Sequence, residues 1–411
     1  MVECWLPYGD TEVSVSVPVR RLTATAEPGE GRVVEDLDYE VLRSLEKPVH
    51  AEPLRDLVKP GMRVAVAVDP GLSGAVWEAA RILVSRMLEL GLEAHNITVI
   101  VGRRFDEPTV RPSGPPKPFP QGVEVVHHDP VATLFKRVGV TSLGTPVEVC
   151  RRFLEADLRV SVGEVRPSPS AGYVGGRSII LSLSSFETLR ANMLLMLDRM
   201  AKPGLLDGNP VHEDMVEASM MASLDASLNL ALDEGCRPIA VSFGEPNHSF
   251  LECVRVVEKR AFVEVGSRAG VVVASPGGAP WDSFLYRSLD ALMNVEEAAK
   301  RGGAIVLVAE CRGGVGIRGF VELLSMEPRA LRSEMRRKFI PGAWKAVALS
   351  RILSRRPVIV SSALPIGTLS RMGLKPAYTA QDGLKKAFEE VGETSVIVFP
   401  HASYTVVRRG A

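Results

Sequence analysis

Five consecutive apolar residues, Val64 to Val68, run into Asp69, are followed by Gly71 and Gly74, and lead into an amphipathic stretch from Ala75 to Leu90 that closes at Gly91. A run without polar alternation suits a strand covered on both faces. Such strands belong to parallel sheets, whose crossover connections carry helices. Strand, glycine turn and helix therefore open a βαβ unit. Further strands are expected at Ile97–Val101, Val123–His127, Leu158–Val165 and Pro238–Phe243, and from Gly270 onward at 271–275, 304–309, 357–361 and 394–399. The pattern predicts an α/β fold of two doubly wound α/β domains with an interdomain cleft. The division falls near residue 268, giving an N-terminal domain 1–267 and a C-terminal domain 268–411. No repeat of 20–50 residues underlies it.

The remaining segments read more locally. Val13 to Val17 alternates like a strand, Glu27 to Gly31 reads as a loop, and Arg103 to Gln121, rich in proline and charge, reads as a longer one. Asn209-Pro210 is a helix start: Asn caps, Pro suits the first position, and Glu213 and Asp214 favour the positive helix end. That helix is expected to reach about Asp233 and to close at Gly235.

Bulk properties narrow the function. With 49 basic and 49 acidic residues the formal net charge is zero, which argues against a nucleic-acid or membrane-surface partner held by charge. Aromatic residues at 6% argue against base-stacking platforms. No apolar run approaches the roughly 18 residues of a membrane span, and Met1 to Asp10 does not read as a secretory signal. A cytoplasmic location is expected. Cys4, Cys150, Cys236, Cys253 and Cys311 are far apart and form no CxxC pair, so they read as buried or idle thiols.

Three glycine clusters stand at or just after expected strand ends: Ala171 to Arg177, Ser275 to Asp282 and Glu310 to Gly316. Ligands of doubly wound sheets bind at that edge, where glycine lets backbone approach a phosphate and a helix N-terminus favours negative charge. Singly these are weak signals. Together with Gly144-Thr145-Pro146-Val147, Gly208-Asn209-Pro210-Val211 with Asp214-Met215, Pro276-Gly277-Gly278-Ala279-Pro280 with Asp282 and Tyr286, and Gly302-Gly303, they form an ordered series. This series resembles the nickel-dependent lactate racemase family from about Tyr8 to Gly316. The resemblance implies cofactor contacts at Asp69, Gly71, Gly172, Gly175, Gly176, Gly277, Gly278, Asp282 and Tyr286. It also implies a nickel-pincer nucleotide tethered to a lysine, one histidine on the nickel, and two histidines as acid and base, work suited to a pKa near neutral.

At the chemical positions the sequence departs from that family. The catalytic histidine appears as Ser168 and the tethering lysine as Ser178. The nickel ligand falls on Met193. The histidine-bearing Gly-x-His-Arg matches Gly102-Arg103-Arg104-Phe105, so Arg104 stands at a catalytic position. The Asp-x-Thr-Arg turn matches Asp69-Pro70-Gly71-Leu72, and a lysine one turn after the family's tyrosine falls on Asp290. Serine forms neither the same linkage nor a proton relay near pH 7. Exchanging imidazole for a thioether changes geometry and affinity. No cofactor and no bound metal are therefore expected.

His127 and His128 occupy neighbouring strand positions on opposite faces and would not chelate one ion easily. His212 reads as solvated or hydrogen-bonded, and His248 as the best loop candidate. Met193, Met196 and Met200 share a helix face and read as core. Arg103, Arg104, Arg166 and Arg177 make either ordinary surface pairs or an anion site, and Gly71, Ser73 and Gly74 at the first helix N-terminus offer free N–H groups to a small anion. Three functions stay open: a divergent member binding a small anionic or nucleotide-like ligand, an active 2-hydroxyacid racemase or epimerase with rearranged ligands, and a non-catalytic structural or partner-binding paralogue.

Overall fold

The computed structural model describes residues 1–69, 71–103 and 117–409. The chain divides into two compact units, one built from Met1–Glu30 with the chain from Arg260 on, the other from the described residues between Gly31 and Lys259.

The second of these holds a sheet in the order Pro238–Gly244, Ala226–Leu232, Leu158–Ser168, Val64–Val68, Ile97–Val101, Glu124–His127. Every neighbouring pair is parallel except the first, which is antiparallel. Val64–Val68 is buried throughout, as its continuous apolar run requires. Helix Ala75–Glu89 follows it and turns Val76, Ala80, Leu83 and Met87 inward, with Gly91 at positive φ just past its end. A hairpin of Phe135–Val140 and Pro146–Cys150, not anticipated from the sequence, places Val147 and Val149 in a core with Ile180 and Ala218.

The other unit holds a parallel sheet in the order Lys375–Ala377, Val358–Ser361, Ala299–Val308, Ala269–Ala274, Val396–Phe399, Leu22–Thr25. The antiparallel hairpin Val2–Tyr8 and Thr11–Val17 sends Leu6, Val15 and Val17 into the core beneath it.

Two expectations need correction. The first 30 residues do not join the N-terminal domain: Leu22–Thr25 pairs with Val396–Phe399, so they belong with the C-terminal half, and the boundary lies at Arg260 rather than 268. The helix starting at Pro210 ends at Met221, not near Asp233. Ser223 takes a left-handed φ of 51°, and Ala226–Leu232 is a strand buried at all seven positions. A fully buried strand carries no period that separates it from a buried helix. No helix among the described residues is long and apolar enough to cross a membrane.

Candidate functional site

In the unit 31–259 the candidate residues gather at the carboxyl ends of the parallel strands. Val68 pairs with Val162, so Asp69 and the segment from Gly163 to Ser168 extend past the sheet together. Asp69 is buried and donates its N–H to the Val162 carbonyl at 3.0 Å. Gly71, at φ 51°, donates its N–H to Asp69 Oδ1 at 3.3 Å. The N–H groups of Leu72 and Ser73 then donate to Glu164 Oε2 at 2.7 and 3.2 Å. A Cβ at Gly71 would stand 2.5 Å from that oxygen. Glu164 is ion-paired with Arg166 at 2.8 Å, both side chains buried. The start of helix Ala75–Glu89 thus already faces an anion from within the chain, which satisfies unpaired N–H groups and complements the helix dipole. The expectation that Gly71, Ser73 and Gly74 offer free donors to an external anion is corrected at Gly71 and Ser73, whose N–H groups go to Asp69 and Glu164, and Arg166 is an internal partner rather than a surface charge.

The segment Gly172–Val174 folds back antiparallel on Arg166–Ser168. Its glycines answer to packing. A Cβ at Gly172, φ 73°, would meet the Leu205 carbonyl at 2.1 Å, and one at Gly175 would meet the Phe250 ring at 2.2 Å. Gly176 donates its N–H to Asn229 Oδ1 at 2.7 Å, with Ser161 and Gly163 directly beside it. Ser168 is buried and its hydroxyl accepts from the Ala171 N–H at 3.2 Å. Ser178 is buried and its hydroxyl donates to the Gly175 carbonyl at 2.6 Å. Met193 is buried in helix Phe186–Leu195, and Met196 packs on the adjoining apolar cluster. Met200 lies beyond the helix and is exposed, so the three methionines do not form one buried face.

Arg177 closes this loop inside the protein. Only 1% of it is exposed, and its guanidinium lies 3.5 Å from the centroid of the Phe250 ring. One terminal nitrogen, Nη2, hydrogen-bonds the Nδ1 of His212, whose ring also stacks with Phe250. Burial pushes the Arg177 pKa down to about 9. Burial first, then the neighbouring guanidinium, pushes His212 down to about 3. His212 is therefore a neutral imidazole whose Nδ1 accepts, so of the two expectations, solvated or hydrogen-bonded, the second holds.

The other candidates separate. His127 is exposed, whereas His128 is buried with Nε2 3.2 Å from the Ser184 carbonyl. With Asp129, Ile100, Arg151 and Arg152 they line a cavity of about 490 Å³. His248 is exposed, paired with Glu245 at 2.6 Å and stacked on His50. Arg103 is exposed, its N–H donating to the Ser182 carbonyl at 3.0 Å, and Arg104 lies outside the described residues. Among the described residues no three His, Cys, Asp or Glu side chains are grouped to hold a metal ion.

In the other unit Asp282 is fully buried and accepts through Oδ2 from the N–H groups of Gly9 at 2.7 Å and Glu310 at 3.0 Å. Burial raises its pKa, and those two bonds counter the rise. Gly278, φ 71°, leaves room for Gly9, whose carbonyl accepts from the Ala279 N–H at 2.8 Å. Gly277, φ 123°, leaves room for Trp281 and His401. Tyr286 is buried edge-on against Phe320. Asp290 is ion-paired at 2.5 Å with Lys345, a buried lysine of helix Ala343–Leu353. Sequence reading missed both Lys345, a lone charge in an apolar run, and Glu164, a buried acid two residues before Arg166 in the same strand.

Comparison with known proteins covers nearly the whole chain. The family model for the lactate racemase N-terminal domain matches residues 8–204, and that for the lactate racemase C-terminal domain matches residues 265–407. The chain is 27% identical over 425 residues to a lactate racemase of Thermoanaerobacterium thermosaccharolyticum, and 25% identical over 433 residues to one of Lactiplantibacillus plantarum. Each alignment covers 99% of this chain and 100% of the relative. The lactate racemase apoprotein structure from Thermoanaerobacterium thermosaccharolyticum aligns with a TM-score of 0.88 at 25% identity, covering 99% of this chain and 100% of that one. A Thermotoga maritima protein shares the fold with a TM-score of 0.65 at 14% identity, covering 93% and 100% of the two chains.

Proposed function

The chain belongs to the lactate racemase family, and from that premise we propose that it is a divergent member that binds a small anionic or nucleotide-like ligand and has lost nickel-pincer racemase chemistry. The observation that carries this reading is Ser178. It stands where the family's tethering lysine is expected, and its hydroxyl is committed to the Gly175 carbonyl inside its own turn. A hydroxyl has no amine to acylate, so the residues do not fit the family's covalent cofactor.

The donor set points the same way. Met193, at the position of the nickel-binding imidazole, is buried within its own unit. Ser168, at the position of a catalytic histidine, is hydrogen-bonded to local backbone and does not titrate near neutrality. Losing one acid–base group typically costs about 10²–10⁴ in rate, and losing the tether removes the hydride acceptor that no side chain replaces. Asp69 and Asp282 remain, but each is tied to backbone N–H groups and acts in holding the loops around it.

Two measurements test the reading. After co-expression with the enzymes that build and load the family cofactor, the purified chain should leave L- and D-lactate uninterconverted; racemisation dependent on that loading would overturn the loss of chemistry. Nicotinic acid mononucleotide, an anionic nucleotide probe, should raise the melting temperature of the chain; unchanged melting would count against the nucleotide-like ligand.

A further inference from the structure

Arg177 is a cation that the described residues do not neutralise. A buried guanidinium is ordinarily paired with a carboxylate, because removing an unpaired charge from water is costly. Arg166, eleven positions earlier, follows that rule through Glu164. Arg177 does not. Its contacts are the face of Phe250 and the Nδ1 of His212, and its Nε and Nη1 are buried without a hydrogen-bond acceptor. Glycine at 175 is what allows Phe250 to lie there, so loop and ring are built around the guanidinium.

We propose that Arg177 and His212 form an anion-binding site that takes a carboxylate or phosphate group of a small ligand. Phe250 covers one face of the guanidinium, and its Nε–H and Nη1–H, on different edges, are each left without an acceptor, so an oxyanion is taken by one of them. His212 accepts at Nδ1, so its proton sits on Nε2 as a further donor. His212 is half-buried, while Arg177 and Phe250 are fully covered. Among the described residues, Arg166 is paired with Glu164 and Arg103 is exposed. The inference rests on the reading above that the ligand is a small anion, and it names the residues that recognise it.

The test uses the full chain and two probes, sodium phosphate and sodium lactate, each titrated by calorimetry and thermal melting against sodium chloride at matched ionic strength. A response to phosphate assigns a phosphate-bearing ligand, a response to lactate alone a carboxylate. In wild type at least one probe should raise the melting temperature where chloride does not. Arg177→Met, which keeps length and removes charge, should weaken that binding at least about tenfold, while Arg177→Lys retains part of it. Without probe, Arg177→Met should melt no lower than wild type. A wild-type chain that responds to neither probe overturns this site and the anionic half of the proposed reading together. Binding unchanged in Arg177→Met overturns this site alone. Should Arg177→Met not fold, the Arg177 Nε–H resonance of the wild-type chain must shift with the bound probe; an unmoved resonance overturns the assignment.

Discussion

Lys345 and Asp290 form a buried ion pair, Nζ to Oδ1 at 2.5 Å, and the same ammonium donates to the Tyr286 carbonyl at 3.0 Å while lying 4.0 Å from the Tyr286 ring centroid. Residue 290 is where the family resemblance places a lysine. An acid stands there instead, and an ammonium is brought beside it from helix Ala343–Leu353. Asp290→Ala leaves that ammonium buried without its counter-ion and should cost about 3 kcal/mol by denaturant unfolding. The double variant Asp290→Leu/Lys345→Met should recover most of the loss. A single-variant cost well under about 1 kcal/mol would show the pair to be weak, as exposed pairs are.

Glu164 serves two partners, the helix N-terminus through Leu72 and Ser73 and the guanidinium of Arg166. Glu164→Gln keeps an acceptor for the backbone but uncovers a buried arginine, and should destabilise by about 3–5 kcal/mol. Adding Arg166→Met should restore stability toward wild type. Equal stability of Glu164→Gln and wild type would remove the charge from the account.

Gly175 tests whether the loop's glycines serve packing. Alanine there places a methyl 2.2 Å from the Phe250 ring, and overpacking of this kind costs about 1–3 kcal/mol. Shrinking the ring with Phe250→Leu should relieve part of it, so the two effects should not add. A Gly175→Ala chain as stable as wild type would assign the glycine a different purpose.

His212 should leave a signature in the acid limb of stability. Its folded pKa, about 3, lies below the ordinary 6.5. Between those values the unfolded chain binds a proton that the folded chain refuses. Stability is therefore complete above about pH 6.5 and falls as pH drops below it. The slope is at most about 1.4 kcal/mol per pH unit, lowered by screening because the ring is partly exposed. His212→Gln should flatten the curve by that share over pH 6.5–4. Parallel curves would contradict the neutral, Arg177-facing imidazole.

Sequence and structure agree where one physical cause acts alone. Val64–Val68 and Ile97–Val101 were legible because strands covered on both faces spell continuous apolar runs. Ala226–Leu232 obeys the same rule but follows a well-capped helix, and the helix was extended through it. That Met1–Glu30 joins the C-terminal half depends on Leu22 pairing with Val396, a partnership no local pattern announces. At the site, the glycine clusters were found but their reason was not, since Phe250, Leu205 and Asn229 lie far along the chain. Glu164 and Lys345 did carry a signal: a charge within an apolar stretch must find a partner if buried, and for Glu164 that partner, Arg166, stands two residues on in the same strand.

The central claim is that this family member carries no covalent cofactor, and intact mass tests it most directly. After co-expression with the cofactor-building and loading enzymes, the purified chain should show the mass of its 411 residues, 44.4 kDa, with no adduct. A stoichiometric adduct of cofactor mass, mapped by peptide analysis to Ser178 or to a lysine such as Lys202, would contradict the account.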